Sequence, residues 1–565
     1  RRRRWRGWLL GGSVIVAIIA GAIYYEMEHS TLQARFIAGM AQEMRYTVEP
    51  GQATEDEIHY PGSGPFDVRM GYTSLPDFLT ALHERNFLID AQARWSATLQ
   101  RSWEWGLFPP YHEKSRAGLT IHDRHGAPLY DSRYPRYTYG AFEEIAPLIV
   151  NTLLFIENRE LLDTSHPHRN PAIEWDRMAR VTTGLALNMI RTEDEKLAGG
   201  STLATQIEKY RHSPDGLTSS PLEKLRQMGS ATLRAYLDGE DTANSRRNIA
   251  LSYINTVPLA ARGGFGEVNG IGDGLRVWYD ADVKQVNALL QRSDAESGGS
   301  LAAQAMAYKQ VLSLFLAQRR PSYYLSSAGP QRLNDLANVY LELLARENII
   351  SPALRDAASA VSLHYGPSFS QRSVVPYASD KAINVTRTRL TSMLGLRSLY
   401  ELDRIDLSVN TTFDRSMQKI VSDTLRKLQD PEVARAAGLF GERLLHEDND
   451  LSKVIYSFTL MERTPTANLV RVQADNFDQP LDINEGVKLD LGSSAKLRTL
   501  VSYLNIITAL HQEYVALTPA ELAKVAVSDN NVLARWVVDY LRTQPKRELS
   551  DILAAAMERT YSANP

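Results

Sequence analysis

Glu157-Asn158-Arg159 closes an apolar run, and Gly199-Gly200-Ser201-Thr202-Leu203-Ala204-Thr205-Gln206-Ile207-Glu208-Lys209 follows about forty residues later. Ahead of Glu157, the residues Ile145, Leu148, Ile149, Thr152, Leu153 and Ile156 recur at helical spacing. That pattern predicts a buried helix with the carboxylate at its end. A carboxylate there sheds hydration and is suited to taking a proton. The second stretch supplies a Gly-Gly turn, hydroxyls at Ser201 and Thr202, an amide at Gln206 and a cation at Lys209. Backbone N–H groups at a helix start, together with hydroxyls and a lysine, suit an anionic, phosphate-bearing ligand. The plainer readings are a solvated helix end and an ordinary loop, so the two stretches carry weight only with the rest of the chain.

At 565 residues the chain has length for two to four domains, each with its own core. A formal charge of -3 argues against a nucleic-acid binder that relies on phosphate contacts. Cysteine is absent, which excludes disulfides, thiolate nucleophiles and cysteine metal sites. Arg1 to Arg4 and Arg6 precede an uncharged run from Trp8 to Tyr25. As a helix that run would span roughly 27 Å, close to a hydrocarbon core of about 30 Å. Aromatic ends and the arginine cluster predict a membrane anchor with its N-terminus in the cytoplasm, in preference to a signal peptide cleaved at Ala20-Gly21-Ala22.

Glu26 to Met44 is expected to continue as helix, with Leu32, Phe36, Ile37 and Met40 on one side. A small mixed region reaches to about Arg116, and in it Ser74 is expected to cap a helix carrying Phe78, Leu79 and Leu82. Leu119-Thr120-Ile121, the turn Asp123 to Gly126, and Pro128-Leu129-Tyr130 predict a hairpin. From Ala141 to Leu325 the pattern is helical; the glycines between Gly263 and Gly274 do not form a dinucleotide fingerprint, because no β-run leads into them. Ile405 to Thr412 alternates like a strand, Asp414 could cap a helix to Leu428, and β-rich runs follow at Val454–Leu460 and Asn468–Gln473. Ser493-Ser494-Ala495-Lys496 then opens a helix with Leu497, Leu500, Val501, Leu504 and Ile507 facing inward.

In this order the pieces resemble the family 51 peptidoglycan glycosyltransferases, and the layout resembles the class A, bifunctional penicillin-binding proteins. Glu157-Asn158-Arg159 is similar to the Glu-Asp-Arg block that carries the family's catalytic base, and Gly199 to Lys209 to its Gly-Gly-Ser-Thr block. Glu223-Lys224-Leu225-Arg226-Gln227 resembles the Arg-Lys-x-x-Glu block, Ile249 to Leu259 the block ending in Tyr-Leu-Asn, and Lys309 to Ser322 the closing block. Asn158 stands in place of an Asp, Thr164 of a His, and Gln227 and Gln310 of two Glu residues. Thr411 to Asp414 with Gln418 looks like the family's linker, and Ser493-x-x-Lys496 like the start of its transpeptidase domain.

The resemblance implies a mainly α fold with a lysozyme-like glycosyltransferase domain at residues 117–330. An anchor at 1–25, a small α+β accessory region at 26–116, a linker at 331–430 and a partial α/β penicillin-binding domain at 431–565 complete it. It implies lipid II and the growing glycan strand as substrates, a place outside the cytoplasmic membrane (the periplasmic side), and other cell-wall or division proteins as candidate partners. Glu157 would be the base. Arg159, Gly200, Ser201, Thr202, Gln206, Lys209, Lys224, Arg226 and Asn255 would hold substrate and its pyrophosphate. No cofactor is required, and a divalent cation, Mg or Mn, is admitted; His166-Pro167-His168 is expected to be solvated, not ligating. Ser493 and Lys496 have the one-turn spacing of a lysine-activated serine acyltransferase. No Lys-Thr-Gly occurs, 69 residues follow Lys496, and Ser528-Asp529-Asn530 is expected to be a helix cap, so that activity is expected to be absent. A non-catalytic scaffold of the same fold, binding lipid-linked precursor or partners, is the competing reading; a glycan hydrolase suits the lysines and arginines less well.

Overall fold

A computed structural model describes residues 17–54, 56–175, 201–291, 301–367, 381–477, 481–488 and 492–560. Gly199 and Gly200, and the first half of the expected membrane anchor, lie outside these residues. Among the described residues no helix is long and apolar enough to cross a membrane. The packing divides into two units, one ending at Asn484 and one starting at Glu485.

In the first unit, residues 17–29 are helical, and helix α1 (Thr31–Glu43) starts only after Ser30, which adopts a left-handed φ of 53°. The continuous helix expected from Glu26 is therefore broken there. The buried face also differs from the expected one: Leu32 and Phe36 are exposed, whereas Ala34, Ala38 and Ala41 are buried. Small side chains win because α1 closes on Ala235 and Tyr236, and alanines permit that approach. Strands β1 (Tyr46–Pro50) and β2 (Ala91–Trp95) pair antiparallel, a contact the sequence did not reveal. Ser74 precedes helix Leu75–His83 but makes no side-chain cap bond.

The expected hairpin is present as β3 (Ala117–His122) and β4 (Pro128–Tyr134), with Leu119 opposite Ser132 and Ile121 opposite Tyr130. Further on come helices α2 (Pro147–Glu157), α3 (Leu203–His212), α4 (Pro221–Ala235) and α5 (Ala243–Thr256). Contrary to the sequence reading, a strand does lead into the glycine-rich segment, which forms a hairpin of β5 (Pro258–Arg262) with β6 (Gly266–Asn269) running directly into α6 (Gly270–Tyr279). Gly270 has φ +80°, and an added Cβ would sit 2.3 Å from the Asn255 carbonyl oxygen, so only glycine fits that corner.

The core is organised on α7 (Leu301–Ala317), apolar on nearly every side, with Val311, Leu312, Leu314, Leu316 and Ala317 fully buried. Around it pack α2, α6, α8 (Gly329–Arg346) and α9 (Pro352–Ala360). Lys309, inside this helix, is buried and donates to Asn338 Oδ1 at 2.8 Å and the Val361 carbonyl at 2.6 Å, tying α7 to α8 and to the end of α9. This mainly helical region fits a lysozyme-like glycosyltransferase domain.

Strand β7 (Leu407–Asn410) adds to the hairpin in parallel, Leu119 opposite Leu407. Asp414 caps helix Arg415–Lys427 as expected, accepting from Met417 N at 3.1 Å. Strands β8 (Ser457–Arg463) and β9 (Asn468–Asp475), placed by the sequence reading in the last segment, pair antiparallel, and β9 packs on that helix within the first unit. The second unit is a helical bundle of α10 (Ser494–Tyr514), α11 (Val532–Thr543) and α12 (Leu549–Met557) around Ile507, Val537, Leu541 and Ile552. Leu497 and Val501, expected inward, are exposed. The cap of α11 is Asn531, which accepts from Ala534 N at 3.1 Å, and not the preceding Ser528-Asp529-Asn530.

Candidate active site

Pro147 opens α2 at a position where its missing N–H costs nothing, and Ile149, Val150, Leu153 and Leu154 bury the helix. The outcome is that Glu157 ends α2 with its side chain 11% exposed. Its carboxylate is held from two sides. Gln206 Nε2 donates to Oε2 at 2.9 Å, and Gln318 Nε2 donates to Oε1 at 2.8 Å. Arg319 stands 3.9 Å from the same Oε1. Gln206 is in turn fixed: Tyr253 O–H donates to its Oε1 at 3.2 Å, so its NH2 group must face the carboxylate. The Tyr253 hydroxyl is pushed well up, first by burial and then by the charge on Glu157, which keeps it a donor.

The second part of the site is cationic. Thr202 caps α3, accepting from Thr205 N at 3.3 Å, and on this helix Gln206 and Lys209 are three residues apart and share a face. Ser220 and Pro221 open α4 and bring Lys224 Nζ to Ser201 Oγ at 2.8 Å. Burial, and then the neighbouring Lys209, push the Lys224 ammonium down to about 8. Two lysines near enough to repel each other, with a hydroxyl between the helices, form a site in want of an anion.

Other expected substrate contacts are engaged differently. Asn255 is buried; it accepts from Tyr139 N and donates to the Tyr139 carbonyl, both at 2.9 Å, so it braces the chain entering α2. Thr202 is likewise buried, donating to the Ala172 carbonyl at 3.3 Å, and acts as a cap and strut. Arg159 lies over the Phe155 ring at 4.2 Å with 60% of its side chain exposed. Arg226 stacks on Phe108 at 4.2 Å and stands 3.9 Å from Glu223. Gln227 is fully buried, donating to Ser213 Oγ at 2.9 Å and to Thr218 Oγ1 at 3.0 Å. Asn158 donates to Glu174, pinning the loop after α2. Gly200 lies outside the described residues.

Gln318, Arg319 and Tyr253 were not singled out in the sequence. All three sit inside stretches that were, but a Gln-Arg pair after an apolar helix reads as an ordinary polar end. Among the described residues no group of three or more His, Asp or Glu side chains is arranged to hold a metal ion. Ser493 and Lys496 are both exposed at the start of α10.

Residues 125–345 match the family model described as transglycosylase. The chain thus carries a family 51 glycosyltransferase domain over those residues, consistent with a peptidoglycan glycosyltransferase, and the whole Glu157 site falls within it. No curated protein matched the chain.

Proposed function

We propose that this protein polymerises lipid II into glycan strands, with Glu157 as general base and a polyprenyl pyrophosphate as leaving group. The observation that carries the reading is the carboxylate of Glu157 fixed by Gln206 and Gln318, with its Gln206-bearing helix also presenting Lys209 towards Lys224. Glu157 takes the proton of the acceptor sugar's 4-hydroxyl as its oxygen attacks the anomeric carbon of the donor. The bond from that carbon to the pyrophosphate oxygen breaks, with inversion, and the pyrophosphate leaves with the electron pair. Lys209, Lys224 and the Ser201 hydroxyl stabilise the charge that develops there, a contribution strongest in a water-poor site. Arg319 and Arg159 add positive charge at the edge. The reaction needs no cofactor; Mg or Mn would act on the pyrophosphate beside the lysines. Trp8 to Tyr25 anchors the chain in the cytoplasmic membrane with this domain outside, which matches a substrate that stays in the bilayer.

The test is incubation of detergent-solubilised protein with lipid II and separation of the products as glycan ladders. Glu157→Gln keeps size and hydrogen-bonding reach but cannot accept the proton, so polymerisation should fall by about 10² or more. Ladders from Glu157→Gln at the parent rate would remove the base assignment and favour the non-catalytic scaffold.

A further inference from the structure

A second concavity involves none of Glu157, Gln206, Lys209, Lys224 or Gln318. It is a cavity of about 710 Å³ enclosed by helix Pro65–Met70, the end of α3, the β5–β6 hairpin and residues 396–405. Its apolar wall comes from Phe66, Phe78, Val268, Leu396 and Ile405. Arg69, Arg211, Arg397 and Arg404 also line it, against the carboxylates of Glu267 and Glu401.

Three of these arginines are incompletely bonded. Arg69 Nη1, Arg211 Nε, and Arg404 Nε and Nη1 are buried without a hydrogen-bond partner. The guanidiniums are nonetheless held in place. Arg211, 2% exposed, donates to Glu113 at 2.7 Å and to Ser252 and Thr256 at 2.8 and 3.0 Å. Arg404, 4% exposed, donates to the Phe265 carbonyl at 3.0 Å and stacks between Tyr134 and Tyr400 at 4.1 and 4.4 Å. Burial pushes Arg69 down to about 10; Glu267 counters this, and the charges of Arg404 and Arg211 add to it. Like charges gathered on a largely apolar cavity are costly, and a bound anion relieves that cost. Guanidinium also pairs with oxyanions in a fixed, often bidentate geometry.

We propose that this cavity binds a small organic anion, its apolar body against Phe66, Phe78 and Leu396 and its phosphate or carboxylate head on the Arg69 and Arg404 side. Neither an inorganic ion nor a neutral aromatic satisfies both walls. The site is independent of the glycosyl-transfer reading, since it shares no side chain with it.

Isothermal titration calorimetry of the full chain in detergent tests this with phenyl phosphate, benzoate, phenol and inorganic phosphate. One or both organic anions should saturate a single site, with phenol and inorganic phosphate at least about tenfold weaker. The stronger of the two identifies the head group. Arg69→Gln should weaken that binding about tenfold or more. Val68→Trp, at an exposed rim position, should block it without disturbing the core, which keeps the test open where Arg69→Gln fails to fold. Lys224→Ala should leave it unchanged. Absence of saturation by either anion overturns the proposal. So does binding that persists in the folded variants, or binding that Lys224→Ala abolishes.

Discussion

At the scale of single residues, the place of Glu157 at the end of a buried helix was legible in the helical spacing of the apolar residues before it. The clamp on it was not, because Gln206 was expected to contact substrate, Gln318 was not singled out, and the two lie 112 positions apart and meet only through the fold. If the clamp orients the base, Gln318→Leu should lower kcat about tenfold while leaving KM near the parent value, measured from ladder formation against lipid II concentration. Lys224 gives a pH signature. Its ammonium, held down to about 8, is charged below that pH and lost above it. The rate should therefore fall as pH rises through about 8, and Lys224→Arg should move that falling limb upward, because a guanidinium stays charged. Gln227 stands where the resemblance has a Glu, and the structure shows what surrounds it. Restoring the family's residue suggests Gln227→Glu as a gain. Buried on Ser213, which also donates to Glu223, the new carboxylate would crowd an existing one. The expected outcome is no faster polymerisation and a stability loss of about 1–3 kcal/mol, read by thermal unfolding.

At the scale of elements, the apolar pattern of α2 and the Asp414-capped helix stand where their residues place them, whereas Ser74 makes no cap bond and Asn531 caps in place of Ser528-Asp529-Asn530. What failed was pairing at a distance. Strand β7 joins β3 although the paired Leu119 and Leu407 lie 288 positions apart, and no local pattern marks its partner. The face of α1 failed for a different reason, since hydropathy favours Leu32 and Phe36 while close approach to α4 favours alanine. The end of α3 is fixed by a buried charge cluster that composition alone could not show. His212 lies between Asp67 at 2.9 Å and Glu113 at 2.6 Å, and Arg211 and Arg234 also pair with Glu113. Burial alone would lower His212, but Glu113 and Asp67 outweigh it and raise it to about 9. A folded value raised above 6.5 contributes stability that is complete below about pH 6.5 and is lost as pH rises through about 9. Melting temperature should fall from pH 7 to pH 10, and His212→Gln should start lower and fall less over that range.

At the scale of the molecule, the two units pose separate questions. The first holds the glycosyltransferase domain, and the chemistry proposed for it would rest on the nearly buried Glu157 carboxylate and the half-buried Lys209 and Lys224. The second begins with the Ser493-x-x-Lys496 pattern that suggested an acyltransferase. Spacing was the legible part, since one helical turn separates the serine from the lysine. Surroundings were not legible, and they decide the chemistry. A serine nucleophile needs its base desolvated beside it and donors aimed at the developing oxyanion. Here Ser493 and Lys496 are exposed, Ser493 makes no capping bond, and the neighbouring Leu497 and Val501 face solvent as well. The bundle's own core lies further along, at Ile507, Val537, Leu541 and Ile552. Among the described residues, then, neither the Ser493 hydroxyl nor the Lys496 ammonium has the burial that such activation calls for. The expected outcome is that this chain forms no stable acyl-enzyme with a β-lactam. Incubation with a fluorescent penicillin followed by denaturing electrophoresis should give no covalent band, and intact mass should be unchanged. Stoichiometric labelling that maps to Ser493 and disappears in Ser493→Ala would show that the exposed turn is an acylation centre after all.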